Sequence, residues 1–348
     1  MASDRGVWIS RFLRLAIAAA ALTWLWLDTD WMRLRRVLAE ADWLLALVGV
    51  ACFGPAPVML AFRLKLLLGV QGIDLGLGQV VRATFAGNFI THALPLGTGG
   101  GDTVKAYIVA RQTPHKHEAV TAILFDRLIG VGGLLTLSGV MVLLDWDNPA
   151  FAQYGRPIAL AILLLAGGLV VVFSHRARRL FRVERFLAAL PFGAHLARMD
   201  RAVLAFRTRP RTVAACWVLT LILQLNSVLV MFLVGWALGL VGESPDSAAA
   251  VYLAYTPICF LTGALPIGVM EVAFAELLAD AGALGTREAA VSLSFMGRII
   301  QLIWSLPGGW FVLRSHPPTL AGRSPEVVEE LVDDPSPQTA EAKTPFAS

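Results

Sequence analysis

The chain has 348 residues, of which 57% are hydrophobic and only 16% are charged, whereas soluble domains contain about 25% charged residues. This composition, with a mean hydropathy of +0.67, excludes a soluble enzyme built around one ordinary core. The formal net charge is +4, but the arginines are gathered in a few segments, so their placement bears on membrane orientation and does not indicate a nucleic-acid partner.

Ten apolar segments follow one another along the chain, and together they predict an all-α, polytopic membrane protein. Their predicted bounds are 15–27, 43–68, 79–94, 97–110, 119–144, 157–174, 212–241, 249–265, 267–281 and 289–313. The first segment resembles a signal peptide, but its small residues, Ala18 to Ala21, lie inside the apolar run and not after it. We therefore expect an uncleaved first transmembrane helix.

The third and fourth segments, and again the eighth and ninth, are shorter than the roughly 20 residues that a complete crossing needs. Each pair is joined at a proline, Pro95 in the first pair and Pro266 in the second. We expect two re-entrant helical hairpins with tips near these prolines. Irregular backbone at membrane depth is tolerated only inside protein or beside a wet cavity, so both tips are candidates for a functional site.

The most basic stretch of the chain, 175–211, contains ten arginines and only two acidic residues. The positive-inside rule places this loop in the cytoplasm. The N-terminus and the end of the last helix, at Arg314, then also lie inside, and the first hairpin enters from the cytoplasm while the second enters from outside. One short segment disagrees, because 28–42 carries three arginines and falls outside in this scheme.

The two hairpin tips share a sequence motif at a constant spacing. Phe89-Ile-Thr-His-Ala-Leu-Pro-Leu-Gly97 corresponds to Phe260-Leu-Thr-Gly-Ala-Leu-Pro-Ile-Gly268, with the prolines 171 positions apart (266 − 95 = 171). Arg127 and Arg298 keep the same offset. We therefore predict two inverted repeats, at about 43–144 and 212–313, which is the architecture of alternating-access transporters.

The chain changes character after Arg314. Residues 315–348 are rich in proline and acidic residues and contain few large apolar groups, so they cannot bury enough surface to offset their ordering entropy. We expect a membrane domain over 1–314 followed by a disordered tail, with at most one short helix around Glu326 to Val332.

Cys52, Cys216 and Cys259 each lie inside an apolar stretch, without the spacing of a metal site or a disulfide framework. We interpret them as packing residues. The acidic residues of the membrane domain are also too scattered to form a metal cluster. The sequence therefore predicts no cofactor and no metal.

A glycine run with two charged residues follows the first tip. Gly99, Gly100 and Gly101 can let backbone amides approach an anion, and a helix starting near Asp102 would point its positive end at the tip. The alternative is a tight turn that permits close helix packing. Asp102 and Lys105 share a helix face and can neutralise each other, but ionisable groups at membrane depth are costly and usually mark a pathway.

Glu271 follows the second tip as Asp102 follows the first, and we consider it a head-group-contacting or proton-linked carboxylate. The alternative is a carboxylate stabilised by a helix N-terminus. Arg127 and Arg298 lie early in the helices after the hairpins and can make bidentate contacts with phosphate. For Arg127, a local ion pair with the adjacent Asp126 is the competing explanation.

Asn88 and His92 lie just before the first tip and are candidates to line the cavity. A lone histidine is more often a hydrogen-bonding group than a proton shuttle. Trp43, Trp146 and Trp310 lie near predicted helix ends, where they are most simply interfacial anchors.

These motifs resemble the flippase-like family that comprises the transmembrane region of lysylphosphatidylglycerol synthases and its stand-alone relatives. The resemblance covers about 10–314, and its motifs appear in register. They are Asn88 with Leu94-Pro95, Gly99-Gly-Gly-Asp102 with Lys105-Ala-Tyr107, Asp126-Arg-Leu-Ile-Gly130, and Leu265-Pro-Ile-Gly268 followed by Glu271.

The resemblance implies movement of an anionic or aminoacylated phospholipid, or of a polyprenyl or hopanoid-type lipid, between the leaflets of a bacterial inner membrane. The second half departs from the family, because its glycine-rich stretch is reduced to Gly268-Val-Met-Glu271. The aminoacyl-transfer domain of the full synthases also has no counterpart after Arg314, so we expect this chain not to be an enzyme and to depend on a separate lipid-synthesising enzyme.

Two other classes of function fit parts of the sequence. An ion-coupled solute carrier would use the same inverted repeat. An intramembrane lipid-modifying transferase is the third possibility, although its aspartate-rich metal motifs are not found. The residues that we expect at a substrate site are Asn88, Pro95, Gly99, Gly100, Gly101, Asp102, Lys105, Arg127, Pro266, Glu271 and Arg298. The sequence does not indicate the lipid, the transport direction, the energy source or the oligomeric state.

Overall fold

A computed structural model describes residues 31–93, 97–144, 149–180, 193–241, 245–262, 269–280 and 287–314, together with Thr23. The described part of the chain is all-α, as the sequence predicts, and contains no strand. Its helices are α1 Trp31–Ala39, α2 Trp43–Phe53, α3 Pro55–Val70, α4 Leu77–Ala93, α5 Gly97–Ala110, α6 Lys116–Leu144, α7 Pro149–Phe173, α8 His175–Leu180, α9 Gly193–Ala205, α10 Pro210–Ala237, α11 Pro245–Thr262, α12 Val269–Asp280 and α13 Arg287–Arg314. The predicted first transmembrane helix 15–27 and the tail 315–348 lie outside the described residues, apart from Thr23.

Four helical stretches are long and apolar enough to cross a membrane. They are Trp43–Val70, Lys116–Leu144, Pro210–Ala237 and Glu288–Val312. Large apolar side chains on their outer faces are exposed, as Leu144 is at 75% and Trp310 at 56%. Such surfaces are stable against lipid and unfavourable in water, so the chain is a multi-pass membrane protein.

The predicted segment 43–68 is divided into two helices at Gly54. Pro55 has no N–H group and cannot donate to the carbonyl of Ala51, and the Gly54 amide donates to that carbonyl at 3.0 Å instead. The carbonyl of Val50 is satisfied from another helix, because Trp304 Nε1 on α13 donates to it at 2.7 Å. A side chain at position 54 would meet the Trp304 ring at 2.7 Å, so glycine is needed there.

Two stretches expected as loops contain helices. Residues 28–42 include α1, and 175–211 include α8, α9 and a 3₁₀ turn, Phe206–Thr208. Helices α8 and α9 of the basic stretch are joined by an ion pair, in which Arg178 on α8 donates through both Nη atoms to the carboxylate of Asp200 on α9. Helix α7 begins at Pro149, earlier than the predicted 157, since proline is favoured in the first turn of a helix.

The first hairpin consists of α4 and α5, and both of its open ends lie together. Gln79 Nε2 near the start of α4 donates to Gln112 Oε1, just after the end of α5, at 2.9 Å. Further along, a Cβ on Gly101 would overlap the carbonyl oxygen of Gly87 and the hydroxyl of Thr91. Small residues let membrane helices approach this closely, so the hairpin is a tightly packed pair.

Each hairpin also packs against a long helix from the other half of the chain. Helix α4 contacts α13, where a Cβ on Gly308 would overlap the backbone of Phe85, and one on Gly309 would meet the Phe89 ring at 3.1 Å. The second hairpin, α11 and α12, is joined by an edge contact between Phe260 and Phe274. Helix α11 packs against α6. The two halves are therefore interleaved.

Candidate functional site

Helix α5 has the bounds of the predicted apolar segment 97–110, but the helix start near Asp102 that we expected from the glycine run is wrong. The helix starts at Gly97, not near Asp102, so Gly99, Gly100 and Gly101 lie in its first two turns. Gly101 packs against Gly87, whereas a Cβ on Gly99 would meet nothing within 4 Å. The packing explanation therefore holds for Gly101, and Gly99 lies beside open space at the N-terminal end of α5. Pro95 lies outside the described residues.

Asp102 interacts with two cations. Its carboxylate is 3.3 Å from Arg127 Nε on α6 and 3.6 Å from Lys105 Nζ, one turn further along α5. The exposed fractions of the side chains are 40% for Arg127, 25% for Asp102 and 11% for Lys105. The structure thus brings three of the predicted site residues together, Asp102, Lys105 and Arg127, and Arg127 is the most accessible of them.

Asp126 does not form the local pair with Arg127 that the sequence left open. Its partner is Arg63 on α3, whose Nε donates to Asp126 Oδ1 at 2.7 Å. Arg63 Nη1 also donates to Thr220 Oγ1 on α10 at 2.8 Å, and Nη2 donates to the Asp126 carbonyl at 3.2 Å. This buried cluster joins α3, α6 and α10. Because Asp126 pairs with Arg63, Arg127 pairs with Asp102 instead.

Sequence reasoning missed Arg63, which pairs with Asp126 beside the candidate site. It is buried, with 4% of its surface exposed, and it lies within electrostatic range of Asp102. A signal was present, because Arg63 is a charged residue inside an apolar segment long enough to span a membrane, which by itself indicates a functional position.

Glu271 and Arg298 form the corresponding contact in the second half. Arg298 Nε on α13 donates to Glu271 Oε1 on α12, and the Glu271 side chain is only 2% exposed. The guanidinium of Arg298 also interacts electrostatically with His92 at the end of the first hairpin. Arg298 therefore contacts the second hairpin and lies within electrostatic range of the first. Pro266 lies outside the described residues.

Asn88 lies one turn before His92 on α4 and is partly buried, so the two side chains share a helix face. The three cysteines are free, as expected, with Cys216 and Cys259 buried and Cys52 partly buried. The part of the chain that the structure describes contains no group of three potential metal ligands.

The arrangement favours an anion. Among the described residues, the ion pairs of the candidate site contain four cations, Arg63, Lys105, Arg127 and Arg298, and three carboxylates, Asp102, Asp126 and Glu271. The first four amides of α5 have no partner within the helix and point toward the hairpin tip. A phosphate-bearing group at this position would meet an accessible guanidinium and a helix N-terminus.

Comparison with known proteins identifies the family of the chain. No curated protein matches the chain significantly. The family model for the lysylphosphatidylglycerol synthase TM region matches residues 11–308, which include every charged residue of the site. The chain is therefore a member of the lysylphosphatidylglycerol synthase transmembrane-region family.

Proposed function

We propose that this protein is a lipid translocator that moves an anionic or aminoacylated phospholipid, or a polyprenyl or hopanoid-type lipid, between membrane leaflets, and that it is not an enzyme. The observation that carries the proposal is a matched pair of arginine–carboxylate contacts, Arg127 with Asp102 and Arg298 with Glu271. In each contact, a carboxylate in the second helix of a hairpin pairs with an arginine in the helix that follows. Family membership supports a role in lipid handling.

An inverted repeat is part of this proposal, and the packing supports it. Helices α2 and α3 together correspond to α10, and α4 to α6 correspond to α11 to α13. Helices α6 and α13 begin at residues 171 positions apart, Lys116 and Arg287. Helix α4 packs on α13 as α11 packs on α6. Two halves that are related by an inverted repeat and pack around one site are suited to alternating access.

The chemistry of the site supports an anionic head group. Arg127 is 40% exposed while it is in contact with Asp102. A lipid phosphate can therefore reach the Arg127 guanidinium without breaking this ion pair. Arginine matches phosphate geometry with two parallel hydrogen bonds. The excess of one positive charge at the site favours binding of the lipid over binding of a cation.

The direct test is translocation in proteoliposomes. Purified protein would be tested with fluorescent phosphatidylglycerol, lysylphosphatidylglycerol and a polyprenyl phosphate, with phosphatidylcholine as the zwitterionic comparison. We expect dithionite-accessible label to change for at least one anionic or aminoacylated lipid, and Arg127→Ala to abolish the change. Arg156→Ala is the matched control, because Arg156 is an exposed arginine of α7 that is not among the site residues.

The same vesicles separate this proposal from an ion-coupled carrier. A carrier would take up a soluble anion such as inorganic phosphate without moving any labelled lipid. Uptake of the soluble anion, with no movement of any lipid in the panel, would falsify the translocator. We further propose inner-membrane placement with both termini in the cytoplasm and a separate enzyme that supplies the lipid.

A further inference from the structure

The described residues of the basic stretch between α7 and α10 form a strongly positive surface outside the candidate site. We name it the arginine platform, and it comprises α8, α9, the 3₁₀ turn and the start of α10. Its exposed arginines are Arg176, Arg179, Arg198, Arg201, Arg207, Arg209 and Arg211. In the described residues of the platform, Asp200 is the only acidic residue, and Arg178 already holds its carboxylate.

The platform is attached rigidly to the end of the bundle. Gln71 Nε2, after α3, donates to the Ala202 carbonyl on α9 at 2.7 Å. Phe206, in the 3₁₀ turn, is 1% exposed and stacks on Phe125 of α6 with ring centroids 4.0 Å apart. The arginines are therefore presented by an ordered scaffold, and its anchor on α6 lies two residues before Arg127.

The last helix ends on the same side of the bundle as the platform. Helix α4 starts at Leu77, shortly after the Gln71 contact with the platform, and runs away from it. Along α13, Arg298 lies near His92 at the far end of α4, whereas Gly308 lies against Phe85, closer to the start of α4. Helix α13 therefore runs toward the platform, and the chain after Arg314 leaves at that end.

The segment that follows has the opposite charge. Residues 326–334 contain five acidic residues, Glu326, Glu329, Glu330, Asp333 and Asp334, and no basic residue. Residues 315–325 separate them from α13, and eleven residues can span about 40 Å when extended. Such a short tether raises the local concentration of the segment to the order of millimolar.

We propose that the acidic segment 326–334 docks on the arginine platform of the same chain. The contact is an electrostatic latch of several exposed ion pairs, each weak by itself and screened by salt. Leu180 of α8 is 77% exposed on the platform and offers an apolar contact for Val327, Val328 or Leu331. The proposal is independent of lipid translocation, because it rests on charge, reach and the position of the last helix.

The test is zero-length carbodiimide crosslinking of the full chain in phosphatidylcholine nanodiscs. Arg179→Lys or Arg201→Lys places an amine on the platform without changing its charge. We expect mass spectrometry to find crosslinks from that lysine to 326–334, with a yield about tenfold higher at 0.05 M than at 0.5 M salt. Arg156→Lys is the matched control, because Arg156 lies in the first part of α7, away from the end that leads into α8, and we expect no crosslink there.

A second set of variants distinguishes docking from random collision. In the Arg201→Lys background, Arg198→Gln with Arg207→Gln and Arg209→Gln removes neighbouring charges but keeps the reactive amine. Docking predicts a large loss of crosslinks in these variants, whereas random collision predicts an unchanged yield of crosslinks. Absence of crosslinks at low salt, or a yield insensitive to salt, overturns the proposal. Crosslinks lost when phosphatidylglycerol replaces phosphatidylcholine would show that lipid head groups, not the tail, occupy the platform in an anionic membrane.

Discussion

The two halves of the bundle hold their charges in different surroundings. In the first half, Asp102 is shared by Lys105 and the 40% exposed Arg127. In the second half, Glu271 is 2% exposed and its partner Arg298 is 21% exposed. A ligand can therefore approach the first pair, whereas the second pair is closed within the protein. The difference identifies the first hairpin as the place where binding should be measured.

A second difference concerns the support behind each pair. The first half contains the buried ion pair of Arg63 with Asp126. At the offset of 171 residues, the second half has Val234 and Gly297 at these places, and Val234 lies against Gly49. Apolar packing therefore suffices at this level of the bundle. A buried ion pair is not required for stability there, so its presence in the first half indicates a role in orienting α6.

Removal of Arg298 should have the largest effect on stability. Arg298→Ala leaves Glu271 buried without the guanidinium, and breaking a buried pair costs about 3–5 kcal/mol. Denaturant titration in detergent should show this loss. The double variant Arg298→Gln with Glu271→Gln should recover most of it, because no buried charge is left. If the unfolding free energy of Arg298→Ala were within about 1 kcal/mol of the wild-type value, the second pair would not be a buried ion pair.

Removal of Arg63 should cost nearly as much, at about 3 kcal/mol, because Asp126 and Thr220 lose their buried donor. Arg63→Met with Asp126→Asn should restore the unfolding free energy toward the wild-type value, in line with the apolar second half. Translocation by this double variant is the informative readout. Normal stability with reduced translocation would separate orientation of α6 from packing, and normal translocation would assign the pair to packing alone.

The first pair should respond in binding more than in stability. Asp102→Asn removes the carboxylate that competes with a lipid phosphate for Arg127, so we expect tighter head-group binding by a few-fold and an unfolding free energy within about 1 kcal/mol of wild type. Translocation should fall by a similar few-fold factor, because release from Arg127 is then slowed in proportion to the tighter binding. Equilibrium binding of a labelled head group, measured beside vesicle translocation, checks both. Weaker binding would show that Asp102 does not compete for Arg127.

The sequence was informative wherever the physical signal is local. The lengths of the apolar segments predicted α5 at 97–110 and the all-α class. The motif repeated around Pro95 and Pro266 indicated the charged residues that follow each hairpin tip. Partners distant in sequence were not predictable. Asp126 pairs with Arg63, which is 63 positions away, whereas the sequence suggested the adjacent Arg127 as its partner. Likewise, a glycine that packs helices and one that faces open space look identical in a sequence.

Gly99 and Gly101 give the finest distinction within the first hairpin. Gly101→Ala should destabilise the protein by about 1–3 kcal/mol, because the methyl group overlaps Gly87 and Thr91. Gly99→Ala should leave stability unchanged or raise it by up to about 1 kcal/mol, since alanine is the better helix former and space is open there. Thermal unfolding compares the two. If Gly99→Ala folds normally but binds the lipid head group more weakly, a ligand must approach the α5 amides closely. If binding is unchanged, the glycine run serves helix packing alone, and Arg127 carries recognition of the anion without the helix N-terminus.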